Sequence, residues 1–384
     1  MVDEARPVQQ RAGRVAALDG LRGLVIIAVV VNHGTGILWP LGRIYDEPLV
    51  AGALGGGAVT VFFVVGAFIV THALQRDLER DTFDAVRFYL RRLVRLGPQL
   101  VLVCAAVWIA NSYATFRASN LDMAHNVMGV LTYTFNIFAT QNLFVTQPAF
   151  GHLWYLSVQQ QCYLVLPLAL IVLARARWAA FLLILVLIGL IYVHRQDVLA
   201  DQGWVIASAA TTTRADGLLW GVAVALALPW LGRVRGWGHI LWISGIALVV
   251  LKIIWPEFGP YAYLGWWSLA FTGVAGVVVV AIWQLPAPTR VSRFLSLRPL
   301  QRLGKASLAI YIWHLPIFVV LRDHTPTWQW GVRTAVAFAI LAVVVVVTER
   351  WVDEPVRRLL ATRPVFRIRP RSSDAPATPA VVQA

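Results

Sequence analysis

Residues 18–36, LDGLRGLVIIAVVVNHGTG, read as an apolar helix that carries an arginine and a histidine where lipid would tolerate neither. Arg22 and His33 are separated by about three helical turns plus roughly 20°, so both side chains lie on one face, about 16 Å apart along the axis. Ionisable residues inside a membrane span are costly and usually point into a protein interior or a wet cavity. One reading is structural: Asp19 pairs with Arg22 at the interface, and His33 packs with a hydrogen bond. The other is that the helix supplies part of an active site, and three further stretches of the chain hold candidates for the rest.

The chain of 384 residues is 59% hydrophobic and 14% charged. A soluble domain carries about 25% charged residues, so most of this chain faces lipid or other apolar helices. The formal charge of +14 does not form one basic face. Its residues cluster between hydrophobic runs, a pattern that reports membrane topology and leads us to expect no nucleic-acid partner. Cys104 and Cys162 fall in apolar runs without zinc spacing and read as buried packing residues. The polar start, with Arg6, Arg11 and Arg14, lacks the short uninterrupted apolar core of a cleavable signal peptide, so the first span is expected to stay attached.

Stretches of about 16 to 25 apolar residues count as spans, and ten fit: 18–39, 51–74, 93–112, 153–174, 178–193, 204–228, 237–255, 261–285, 306–321 and 332–348. Residues 125–144 are apolar and aromatic but dotted with Asn and Thr, and read as an amphipathic or re-entrant piece of a long external loop. With ten spans and an internal N-terminus, most of the 33 Lys and Arg fall on the cytoplasmic side, as the positive-inside rule requires; an eleventh span would invert everything downstream. The expected fold is therefore all-α, a polytopic membrane bundle of about ten transmembrane helices with both termini cytoplasmic. Residues 1–17 form a cytoplasmic segment, 18–360 the membrane domain, and 361–384 a basic and then disordered tail. No soluble domain is expected after the last span.

Four places offer chemistry. His33 lies about 22 Å along the first helix, in the outer half of the bilayer, where a neutral imidazole can take a proton from a hydroxyl. It has no Cys, acid or second His at ligand spacing, so no metal is expected. At the cytoplasmic start of the third span, Arg91, Arg92 and Arg95 form a compact cationic patch suited to phosphate oxygens, or simply a positive-inside anchor. Gly151–Pro167 brings His152, Trp154, Ser157, Gln159, Gln160 and Gln161 to the top of a span, where Trp154 also suits an interfacial anchor. Finally, Arg214, Asp216 and His314 lie within apolar runs. The structural alternative is that Arg214 and Asp216 neutralise neighbouring helices and His314 bonds a carbonyl freed by Pro316.

Together these landmarks resemble the acyltransferase-3 family of integral membrane acyltransferases, from residue 18 to about residue 358. The likeness is carried by LDGLRG with Arg22 and His33 in the family's spacing of Arg, ten residues, His; FFVVGAF at 62–68; RRLVRLGP at 91–98; HLWYLSV at 152–158; TRADGLLWG at 213–221; LGKASLAIYIWHLPI at 303–317; and DEPVRR at 353–358. The resemblance implies transfer of an acyl group, often acetyl, from cytoplasmic acyl-CoA to a hydroxyl of a glycan, lipid or other small molecule, within a bacterial plasma membrane. It implies His33 as the catalytic residue, Arg22 as its companion, and Arg91, Arg92 and Arg95 as the grip on the CoA phosphates. His152, Trp154, Ser157, Gln159, Arg214, Asp216 and His314 follow as acceptor-side or supporting residues. An oligomer is compatible with the pattern. The chain departs from the family where the usual acidic pair after HLW is Gln159 and Gln160, and where the Ser-Gly of the second span is Gly66-Ala67.

A competing class is a transporter or lipid-translocating protein that uses Arg22 and His33 for substrate or proton binding; it would move cargo without breaking a thioester. In a third class, a membrane scaffold, both residues would matter only for stability. The enzyme reading further expects a cleft between helices that joins the arginine patch to His33.

Overall fold

A computed structural model describes residues 8–39, 57–113, 118–173, 176–254 and 261–363. The remaining residues, which include 1–7 of the polar start, the start of the second expected span at 51–56 and the tail beyond Arg363, lie outside the described residues. Among the described residues there is no sheet, and nine helices are long and apolar enough to cross a membrane. They are α1 (Val8–Gly34), α2 (Val59–Glu79), α3 (Ala85–Ser112), α6 (Trp154–Leu173), α7 (Arg177–Asp201), α11 (Trp237–Ile254), α12 (Trp266–Gln284), α14 (Arg298–His324) and α15 (Trp330–Thr348). Helix α1 already begins at Val8, within the segment read as a polar extension. Residues 120–141 form two short helices, α4 (Asn120–Leu131) and α5 (Phe135–Gln141), too short to span.

The expected span at 204–228 is corrected by the structure: it is broken into α8 (Trp204–Ala209), α9 (Thr211–Arg214) and α10 (Asp216–Leu231). Ala210 is extended (φ −69°, ψ 142°), which interrupts the helix. Backbone freed in this way survives inside a membrane protein only when buried protein groups satisfy it. Here Arg195 of α7 supplies that satisfaction, donating from its η1 nitrogen to the Thr213 carbonyl at 2.9 Å.

Helix α14 is the axis of the bundle. Of its apolar window 78% is buried, against 17% for α7 and α11, whose outer faces leave Leu182, Val186, Leu190, Ile243 and Val249 exposed to lipid. Helix α1 packs along α14 at backbone contact. A Cβ at Gly304 would meet the Asp19 carbonyl oxygen, and one at Gly20 would meet that of Leu295 in α13 (Arg290–Leu295). Small residues let membrane helices approach this closely. Gly304→Ala is therefore expected to lower stability by about 1–3 kcal/mol through overpacking, read as a fall in the thermal unfolding midpoint of the purified protein in detergent.

Past α15 the chain makes a π-helical turn, Glu349–Asp353, and ends in the short amphipathic α16 (Glu354–Thr362). The turn swings α16 back against α3, where Arg91 reaches the Leu360 carbonyl at 3.5 Å.

Candidate active site

Three histidines from separate elements meet. His33 sits in the last turn of α1, His152 in a 3-10 turn (Pro148–Leu153) that leads into α6, and His314 in the buried middle of α14. His33 Nδ1 lies 2.8 Å from His314 Nε2, with the rings stacked at a centroid distance of 5.0 Å. His152 stands edge-on to both, 5.0 Å from His314 and 6.3 Å from His33.

The network assigns the protons. His314 Nδ1 faces two acceptors, the carbonyls of Ile310 at 3.0 Å and Tyr311 at 2.8 Å, so it carries the hydrogen and its Nε2 offers a lone pair. His33 Nδ1–H then donates to that lone pair, and His33 Nε2 is left with its own lone pair free. His314 thus both bonds backbone carbonyls, as the structural reading expected, and orients His33. The three rings do not converge as metal ligands would: two are bonded directly to each other, and among the described residues no group of three His, Cys, Asp or Glu is placed to share an ion.

A cavity of about 160 Å³ opens beside these rings, lined by Asn32, His33, His152, Trp154, Arg214, Tyr263 and Tyr311 among others. A second cavity of about 680 Å³ is lined by Arg22, Arg91, Arg92, Arg95, Lys305 and Arg357, with Asp353 as its one acidic residue among the described residues. Gln159 and Gln160 also line it, so the departure from the family's acidic pair puts neutral amides in a cationic wall. Gln159 Nε2 donates to the Tyr155 hydroxyl at 3.0 Å.

Arg22 and His33 share a helix face but line different cavities. Arg22 joins the cationic group, where it donates to Ser307 Oγ at 2.9 Å and keeps Asp19 at 3.5 Å. Arg92 folds back so that its guanidinium lies 3.5 Å from the Phe88 ring centroid. The expected cleft is divided. Tyr311 lines both cavities; its hydroxyl donates to the His152 carbonyl, and its ring lies 5.3 Å from that of Tyr155.

Three of the candidate residues, Ser157, Asp216 and His314, line neither cavity, and His314 meets the site only through its ring contacts with His33 and His152. Ser157 is buried with its hydroxyl towards the Leu153 carbonyl at 3.5 Å. Asp216 is held by Arg195 at 2.7 Å, the side chains 3% and 0% exposed. Arg195 also donates to the Leu264 carbonyl and to Ser268 Oγ, and sequence reasoning missed it because the polar HRQD at 194–197 reads as the end of a span. Tyr311 was missed inside an apolar string, although its position three residues before His314 puts both on one helix face.

The fold and this pair of cavities define a multi-pass integral membrane protein with a cationic pocket next to a histidine pocket. The acyltransferase-3 family model, described as an acyltransferase domain, matches residues 15–349, and the chain belongs to that family. It is 28% identical to the peptidoglycan O-acetyltransferase OatA of Listeria monocytogenes over 375 residues, covering 90% of this chain and 56% of the relative. It is 27% identical to the O-acetyltransferase OatA of Staphylococcus aureus, covering 89% and 57%, and 27% identical to the putative peptidoglycan O-acetyltransferase YrhL of Bacillus subtilis, covering 83% and 50%. The chain spans about half the length of the curated relatives it matches. No solved structure matches it.

Proposed function

We propose that the protein is a membrane O-acyltransferase that moves an acetyl or other short acyl group from cytoplasmic acyl-CoA to a hydroxyl of an extracytoplasmic glycan or glycolipid. The names of its relatives make a cell-wall glycan the first acceptor to test. The observation that carries the reading is the adjacency of a cationic cavity and a histidine cavity at a single shared side chain, Tyr311. A volume of about 680 Å³ lies within the range of about 300–1,000 Å³ usual for small-molecule and cofactor sites. Its guanidinium groups suit the phosphates of a CoA nucleotide, and the thin pantetheine arm would carry the thioester past Tyr311. In this reading the nine long helices and the broken run of α8 to α10 each cross the membrane, which puts both termini in the cytoplasm, on the side from which the donor enters.

In this reading His33 Nε2 takes the proton of the acceptor hydroxyl as that oxygen attacks the thioester carbonyl. The carbon–sulfur bond breaks, and the proton passes from His33 to the leaving thiolate, which leaves the imidazole neutral for the next turnover. His314 holds the His33 tautomer that exposes Nε2, the orienting part that a carboxylate plays in many catalytic triads.

The test is thiol release from acetyl-CoA by the purified protein in lipid nanodiscs, with and without glycan acceptor, together with mass spectrometry of the glycan for the acetyl increment. Cargo movement with no thioester cleavage would overturn the reading. The double variant Arg91→Ala/Arg95→Ala is expected to raise the KM for acetyl-CoA about tenfold or more through lost charge-assisted bonds, with kcat little changed. Unaltered kinetics would return these arginines to a purely topological role.

A further inference from the structure

The histidine cavity contains a buried cation that the proton path does not use. Arg214 is 4% exposed. One η nitrogen donates to Thr60 Oγ1 at 3.0 Å, and the guanidinium lies 5.6 Å from the Trp154 ring centroid. Its Nε is buried with no hydrogen-bond partner. The acid nearest in sequence, Asp216, is committed elsewhere, since its close ion pair is with Arg195. Two buried guanidinium groups thus share one carboxylate, and the excess charge belongs to the one that lines the cavity. A buried polar group left without a partner is expensive, and a buried charge more so. A site retains such a group when a transient partner of opposite charge occupies it during function.

The anchoring makes this group rigid. Arg195 locks Asp216 and the Thr213 carbonyl on either side of Arg214, and Thr60 fixes one arm of the guanidinium. Volume limits what can meet it: about 160 Å³ is the share of roughly five liquid waters at about 30 Å³ each, enough for a short acyl group and the oxygen that attacks it. Any group held there lies beside both His33 and Arg214.

We propose that Arg214 is the oxyanion-holding residue of acyl transfer. The inference rests on the acyltransferase reading and on His33 as base. As the acceptor oxygen bonds to the acyl carbon, the carbonyl π pair moves onto the carbonyl oxygen, and the Arg214 guanidinium receives that charge while His33 Nε2 takes the hydroxyl proton. When the carbon–sulfur bond breaks, the pair returns to the carbonyl, Arg214 is released, and the thiolate takes the proton from His33. The neutral histidines around the cavity supply no fixed positive charge for this step.

The test compares wild type, Arg214→Gln and Arg214→Lys in nanodiscs, with acetyl-CoA and a cell-wall glycan acceptor. Arg214→Gln is expected to lower kcat by about 10²–10³-fold, the usual cost of one oxyanion donor, with the KM of donor and acceptor each within about threefold and unchanged binding of a non-reactive thioether analogue of acetyl-CoA. Arg214→Lys, which keeps the charge but loses the planar guanidinium, is expected to recover only part of the rate. A raised acceptor KM at constant kcat would overturn the proposal, because Arg214 would then hold an anionic group of the acceptor. Full kcat in Arg214→Gln would also overturn it. Should Arg214→Gln fail to fold, Thr60→Val frees one arm of the guanidinium without removing it and is expected to lower kcat at unchanged KM; an unchanged kcat in that variant overturns the proposal. His33→Ala separates the two layers: if it transfers acyl groups at the wild-type rate the underlying reading fails, whereas a crippled His33→Ala beside a fully active Arg214→Gln sinks only the oxyanion role.

Discussion

His33→Ala is expected to lower acyl transfer by about 10²–10⁴-fold, the usual contribution of a positioned general base, with the fold and acetyl-CoA binding retained. His33 packs at the end of α1 on the rim of a cavity, so removing its ring leaves the contact of α1 with α14 in place. His314→Phe is expected to cost less, about tenfold to a hundredfold, because it removes the acceptor that holds His33 Nδ1–H and lets the other tautomer point its hydrogen at the substrate. The double variant should be no slower than His33→Ala, since the orienter acts only through the base. Stopped-flow detection of released thiol measures all three. A double variant much slower than either single one would mean that His314 acts on substrate independently.

Arg195→Ala is expected to produce the largest loss of stability in the molecule. It strands the Asp216 carboxylate in a dry interior and abandons the Thr213 carbonyl at the helix break, while the Leu264 carbonyl keeps only its bond from Gln196. Breaking one side of a buried ion pair costs about 3–5 kcal/mol. The double variant Arg195→Met/Asp216→Leu removes both charges and is expected to recover part of that loss, though not the bonds to backbone. Fluorescence-detected size-exclusion chromatography across a temperature series measures the difference. Equal midpoints for the single and double variants would show that the backbone bonds, rather than the unpaired carboxylate, dominate. In either variant the backbone around Arg214 loses its anchor, so activity is expected to fall even below the melting range.

Some parts of the site were legible because their chemistry conflicts with lipid. An arginine, a histidine and an aspartate inside apolar runs announce themselves, and Arg22, His33, Arg214, Asp216 and His314 were found on that ground. Arg195 was not, because the polar cluster around it looks like the wet end of a helix, and its complete burial depends on contacts with Thr213, Asp216, Leu264 and Ser268 far along the chain. The break at Ala210 stayed hidden for a related reason. The run 204–228 is apolar enough to span, and only the donors waiting in the interior make an interrupted backbone affordable.

The sequence by itself determined a helical membrane bundle, because lipid offers no partner for open backbone and a long apolar chain has few other ways to satisfy its amides. It also determined which residues were too polar to face lipid. Only the tertiary structure decided which of these share a space. Arg22 and His33 project from one face of α1, yet Tyr311 from α14 lies between a cationic cavity and a histidine cavity. The periodicity of one helix fixes directions around its own axis; what fills the space those directions point into is set by the helix packed against it.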